Sequence, residues 1–286
     1  MDSENRHGGG EAGVAFETES AYDFLYLKAT PIENIRLAHW RGEADETAFW
    51  RVLGHYQNSD GGWARGVDPE YTGQHSSIHS TIEALRILLS HQQADHPNTA
   101  RTIHFLRQAA LPDGSWQELP EVLREANVPE WYAPARFRIW ETAMLAGYSL
   151  DLGYTELWKP AATYLRNVWP QVPPSETVHP YLAAVLLLGR SHADKDRTIA
   201  AQSLDAIRRL VRREQIDPSD CSWLIEVLDV VNPPDADDLI QQLGDRLASA
   251  QDPDGGVRTD YDELMRSSAT FNALMAVALM NQRGLG

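Results

Sequence analysis

Two carboxylates and two histidines crowd one short stretch of this chain, Asp68-Pro69-Glu70 followed by His75 and His79. A carboxylic acid beside an imidazole becomes a general acid–base pair once water is partly excluded, because burial and a charged neighbour move both pKa values. The same carboxylates also suit a plainer task, capping or bracing the loop. For His79, at the start of a helical run, a hydrogen-bonded structural role is as open as a catalytic one. Further along, Arg138 and Glu141 share a helical face, where they serve as site groups or as each other's ion pair, and Asp260 sits in a later polar loop. Asp68, Glu70, His75 and His79 carry metal-ligating atoms. Gly73 and Ser76-Ser77, however, imply a turn beside His75, before the helix that holds His79. No metal and no cofactor are expected.

Helices must position these groups. One set of segments carries a single apolar stripe at helical spacing opposite a charged face, as in Phe49, Val52, Leu53 and Tyr56, or Ile240, Leu243, Leu247 and Ala250. A second set, at about 20–39, 77–91, 137–150, 177–190, 218–231 and 267–282, is apolar over more of its circumference. One-sided burial suits an outer layer, and burial on several sides suits an inner one. The sets alternate, and strand signals are absent. The expected fold is therefore all-α, an (α/α)6 toroid of inner and outer helices. Residues 17–286 form its single domain, after a disordered tail at 1–16. Alternation makes the inner helices parallel, so their positive N-terminal ends gather at one mouth. The long loops 62–76, 115–136 and 255–266, with the turn Pro170-Gln171-Val172-Pro173-Pro174, open there. Long ordered loops in a compact domain usually carry function.

Three turns repeat along this scaffold: Gln57-Asn58-Ser59-Asp60-Gly61-Gly62-Trp63, then Gln108 to Trp116 around Asp113-Gly114, then Gln251-Asp252-Pro253-Asp254-Gly255-Gly256-Val257. Glutamine can bond free carbonyls at a helix end, Asp-Gly supplies the turn, and tryptophan offers a flat face to the neighbouring repeat. Recurrence at matching places marks a repeat protein. The pattern resembles the QW repeat of the squalene–hopene cyclase and protein-prenyltransferase superfamily. That resemblance implies the toroid and, in the cyclase branch, an Asp-x-Asp-Asp-Thr-Ala motif whose middle aspartate protonates an alkene. Asp235-Ala236-Asp237-Asp238 matches only superficially. It follows Pro233-Pro234, lacks the Thr-Ala pair and opens an outer helix. The corresponding place is the start of the inner helix after Trp63, where Ser77, His79 and Ser80 stand for the aspartates, and Glu141 takes the last aspartate's place in the next repeat. The prenyltransferase zinc set is missing too, since Asp220-Cys221 has no histidine after it.

A formal charge of −16 argues against nucleic acid, which needs a basic face. The single cysteine excludes an intramolecular disulfide and fits a reducing cytoplasm. No apolar run reaches the length of a membrane span, and the polar N-terminus has no signal-peptide core. Nine tryptophans and ten tyrosines are enough to fill the core and still line a cavity.

The resemblance implies acid-initiated cyclisation or isomerisation of an isoprenoid or similar hydrophobic small molecule. Asp68 or Glu70 would be the acid, His79 its partner and Glu141 a further catalytic group. Trp63, His75, Trp131, Tyr132, Arg138, Trp140 and Asp260 are the candidate substrate contacts. A carbohydrate-active hydrolase or lyase with a carboxylate pair, and a non-catalytic toroid binding a hydrophobic ligand, are the alternatives.

Overall fold

The computed structural model describes residues 15–126, 128–133, 137–172, 174–261 and 263–285. These residues form twelve α-helices and no strand: α1 (Thr18–Lys28), α2 (Pro31–Trp40), α3 (Glu46–Leu53), α4 (Ile78–Ser90), α5 (Pro97–Ala109), α6 (Phe137–Asp151), α7 (Trp158–Val168), α8 (His179–Leu188), α9 (Asp194–Arg212), α10 (Pro218–Val231), α11 (Ala236–Ser249) and α12 (Met265–Gln282). None of them is long and apolar enough to cross a membrane.

The stretch read as one helix over 20–39 is two. Ala29 turns extended, Thr30 accepts from the Ile32 amide, Glu33 closes a capping box, and Pro31 takes the first helical position. Proline there removes no needed hydrogen bond and starts a helix afresh. The break makes α1 a one-sided helix, with Ala21, Phe24 and Leu25 buried while Tyr26 and Leu27 face solvent. Residues 1–14 of the expected tail lie outside the described residues. Phe16 packs on the apolar core, and the Glu17 backbone bonds Gln251, so packed chain begins inside the segment read as tail.

Even-numbered helices pack on one another in sequence: α4 on α6, α6 on α8, α8 on α10, α10 on α12, and α12 on α2. Helix α2 meets α4 through Arg36 and Glu83, 3.9 Å apart, and through the ring nitrogens of His39 and His91, 3.0 Å apart. Odd-numbered helices back them, with α9 on α8, α11 on α10 and α1 on α12.

The three Asp-Gly turns share one geometry. Oδ1 of Asp60, Asp113 and Asp254 accepts from the amide two residues on. The glycines at 61, 114 and 255 take positive φ. Each lies against the opening of another helix: Gly61 against Arg101 in α5, Gly114 against Pro160 in α7, Gly255 against Ser20 in α1. Gln57 and Gln251 donate to their own turn's glycine carbonyl, and also to Asn98 O and Glu17 O beside α5 and α1. The glutamines therefore tie each turn to the next backing helix rather than capping the helix before them. In the second turn Leu111 takes the place of Asn58, as their turn-closing bonds show. Ala110 thus occupies the glutamine's place, and Gln108 bonds only His104 on the surface. Trp63 and Trp116 are sealed in the core, donating to Thr102 Oγ1 and Leu106 O.

Asp235, Asp237 and Asp238 do not line the cavity described below, and Asp237 pairs with Arg283 at the surface.

His91 carries a stability signature. Burial, with the charges of Arg36 and His39, pushes its pKa down to about 2. Between that value and the unfolded pKa of about 6.5, only the unfolded chain takes up this proton. The contribution of this site to stability should therefore fall as pH drops below about 6.5, with a slope of up to about 1.4 kcal/mol per pH unit. In urea unfolding at pH 7 and pH 5, the His91→Leu variant should lose less stability on going to pH 5 than the unaltered protein does.

Candidate functional site

A cavity of about 280 Å³ lies at the N-terminal ends of α4, α6, α8, α10 and α12. Trp131, Phe137, Trp140, Trp223 and Tyr261 give it aromatic walls, and carboxylates, two histidines and Arg86 punctuate them.

His79 is fixed by the start of α4. Ser77 caps that helix, and the Glu118 carboxylate accepts from Ser77 Oγ (2.6 Å) and from the amides of Ile78 (2.9 Å) and His79 (3.3 Å). A carboxylate at a helix N-terminus is stabilised by the free N–H groups there. His79 Nε2 donates to Glu141 Oε1 at 3.1 Å, and the same oxygen accepts from the Glu118 amide at 3.1 Å. Both side chains of the pair are almost wholly buried. With Nε2 engaged, Nδ1 is the nitrogen left for the cavity. Burial favours the neutral ring, but the hydrogen bond and charge of Glu141, with Glu118 and Asp68 further off, outweigh it and raise the His79 pKa. The imidazole is thus a proton donor in its charged form and is held in one orientation.

The expected direct pairing of Asp68 with His79 is not what forms. The Tyr132 ring stacks on His79, centroids 3.8 Å apart, and its hydroxyl donates to Asp68 Oδ2. Asp68 Oδ1 accepts from the Glu70 amide, so this carboxylate braces its own loop while it lines the cavity beside Glu70. Trp131 stands at the rim, and Trp140 belongs to the wall between α4 and α8.

Five of the seven candidate contacts do not line the cavity: Tyr132 is buried against His79, and the other four are elsewhere. Trp63 is wholly buried between repeats, where its indole packs on Trp50 and bonds Thr102. His75 is exposed beside Glu125. Arg138 turns to the second Asp-Gly turn, bonding Asp113 and Ser115, and pairs with Asp113 rather than Glu141. Asp260 uses its amide to bond Asp217 and lines no wall.

Sequence reasoning missed a second cluster. His179 opens α8, with Nε2 3.4 Å from Asp220 Oδ1, and the Tyr261 hydroxyl lies 3.4 Å from Nε2 and 3.3 Å from Asp220 Oδ2. Burial opposes the charge on this ring as well, and Asp220 overcomes it, so the His179 pKa is raised. The Trp140 ring lies 5.1 Å from His79 and 6.1 Å from His179. Two imidazoles with raised pKa values thus flank one indole. A histidine-proline pair opening an apolar helix was the available signal, and it has many structural uses.

The floor is also polar. Arg86 holds Glu226 through two hydrogen bonds of 2.7 Å and covers the Trp223 ring at 4.8 Å. Glu83 lies between Arg86 (3.8 Å) and Arg36 (3.9 Å). Among the described residues, no group of three or more His, Cys, Asp or Glu side chains is arranged to hold a metal ion.

No protein-family model matches the chain, and no curated protein matches it. Among solved structures, a crystal structure of a protein from Actinoplanes is similar with a TM-score of 0.58 and 15% identity, covering 92% of this chain and 98% of that one. At that identity the likeness is one of fold over nearly the whole length, and the chemistry rests on the cavity itself.

Proposed function

We propose that the helices close into an (α/α)6 toroid and that the cavity at its mouth performs proton transfer on a small, largely hydrophobic molecule. Two observations support the ring: the even-numbered helices meet in an unbroken series that returns from α12 to α2, and the third turn packs on α1 at the other end of the chain. The observation that carries the chemistry is His79, with Nε2 held by Glu141 and Nδ1 left for the aromatic cavity. His79 in its charged form gives a proton through Nδ1. His179 in its neutral form, backed by Asp220, takes one from another substrate atom, and that proton returns to His79 through water. The net result is an isomerisation.

The reaction is acid-initiated, as the resemblance to terpenoid cyclases implies, but the acid differs from Asp68 or Glu70. An imidazolium with a raised pKa is a weak acid, and Brønsted behaviour makes it slow with an isolated double bond. Conjugated or oxygen-bearing isoprenoids suit it better, and isomerisation moves ahead of cyclisation. The cavity volume lies near the lower end of the roughly 300–1,000 Å³ usual for ligand pockets, which favours short substrates.

A second reading, a carbohydrate-active enzyme, draws support from Asp68 and Glu70 on one wall, Asp220 on another, and Trp131 at the rim for stacking. Incubation in D2O with ten- and fifteen-carbon isoprenoid alcohols, and in parallel with methyl glycosides, separates the readings. Solvent deuterium in an isomerised isoprenoid supports the first, and sugar cleavage supports the second. Binding without turnover of any compound points to a ligand carrier.

A further inference from the structure

The floor contains a donor and an acceptor that face each other without touching. Arg86 spends Nε and Nη2 on Glu226, while Nη1 makes no hydrogen bond. Neither carboxylate oxygen of Glu83 accepts a hydrogen bond, and Oε2 lies 3.8 Å from Arg86 Nη1. Arg36, the other cation at this carboxylate, gives its Nη2 to Asn272 Oδ1 at 3.0 Å and approaches Glu83 no closer than 3.9 Å. Nη1 and Oε2 are not occluded like Glu83 Oε1, and both residues line the cavity. A buried carboxylate without a hydrogen bond is costly, so an oxygen about 2.9 Å from each atom, to one side of the line joining them, would satisfy both.

Charge decides what kind of oxygen fits. With Glu83 ionised, Arg36 and Arg86 are balanced by Glu83 and Glu226. An ammonium group would meet two guanidinium groups, and a carboxylate or phosphate would meet two carboxylates. A hydroxyl carries no charge and both donates and accepts.

We propose that the ligand enters with a neutral hydroxyl at the cavity floor, its oxygen accepting from Arg86 Nη1 and donating to Glu83 Oε2, and its apolar body between the Trp140 and Phe137 walls. The substrate class is a hydrophobic alcohol rather than a diphosphate ester or an amine. This rests on the cavity being the ligand site and not on the proton transfer assigned to His79.

The test is calorimetric binding at pH 7 of three compounds with one body, cyclohexylmethanol, cyclohexylmethylammonium and cyclohexanecarboxylate. The alcohol should bind at least about tenfold tighter than either ion, one tenfold step being about 1.4 kcal/mol. Burial raises the Glu83 pKa against the pull of Arg86 and Arg36, so a neutral Glu83 would instead make the carboxylate the tightest ligand. The Glu83→Gln variant keeps the shape and removes the charge, and in it the carboxylate should overtake the alcohol. No measurable alcohol binding, tighter binding of either ion to the unaltered protein, or an unchanged order in Glu83→Gln would overturn the proposal. An alcohol preference in a protein that moves no proton would leave this assignment standing and remove the isomerase reading.

Discussion

Replacing His79 with glutamine should lower turnover of the isoprenoid alcohol by about two to four powers of ten, the range for loss of a general acid, while ligand binding is largely kept. The expectation follows from geometry. His79 is the cavity imidazole whose Nε2 is clamped, 3.1 Å from Glu141, on a helix start tied down by Glu118. Glutamine preserves a hydrogen bond to Glu141 and removes the titrating nitrogen. Glu141→Gln should cost less and act differently. It weakens the anion that holds the His79 proton, so the acid's pKa falls and the alkaline limb of the pH–rate profile moves to lower pH. A profile that stays in place would make Glu141 a packing group. Circular dichroism and thermal melts of both variants separate these effects from unfolding.

The second large effect is on stability. Gly255 has φ +88°, and a Cβ there would lie 1.9 Å from the Ser20 carbonyl oxygen, a backbone atom at the start of α1. Gly153 has a similar φ of +91° but nothing within 4 Å of such a Cβ. Alanine at 153 should therefore cost only the left-handed penalty, about 1–2 kcal/mol. Alanine at 255 adds forced separation of the third turn from α1, for a total of about 2–5 kcal/mol. Urea denaturation measures both. Equal losses would mean that the contact between the two ends of the chain contributes little, and the ring closure would lose its main support.

These contacts also show what the sequence could and could not convey. Helix positions were legible because stripe width separates one-sided from many-sided burial, which is a local property. The break after Lys28 was missed although Thr30-Pro31 with Glu33 is a readable helix start, because apolar periodicity ran through it. His79 and Trp140 line the cavity and Glu141 bonds His79; the repeat register points to all three because it puts them near the starts of their helices. Their partners were not legible. Whether His79 meets Asp68 or Glu141 depends on how α4 sits against α6, where Glu118, a carboxylate in no motif, bonds the start of α4 and its amide bonds Glu141. The second cluster joins His179 and Tyr261 across 82 residues, and the floor joins Arg86 and Glu226 across 140. Pairings at such separations appear only after the chain has packed.

The most direct measurement of the central claim is an NMR titration of the His79 imidazole in the unaltered protein and in the Glu141→Gln variant. The ring should titrate above its ordinary value near 6.5, because Glu141 overcomes burial, and well below that position once the carboxylate is neutralised. A ring that titrates below 6.5 in the unaltered protein, or is unmoved by Glu141→Gln, would contradict His79 as the cavity's proton donor.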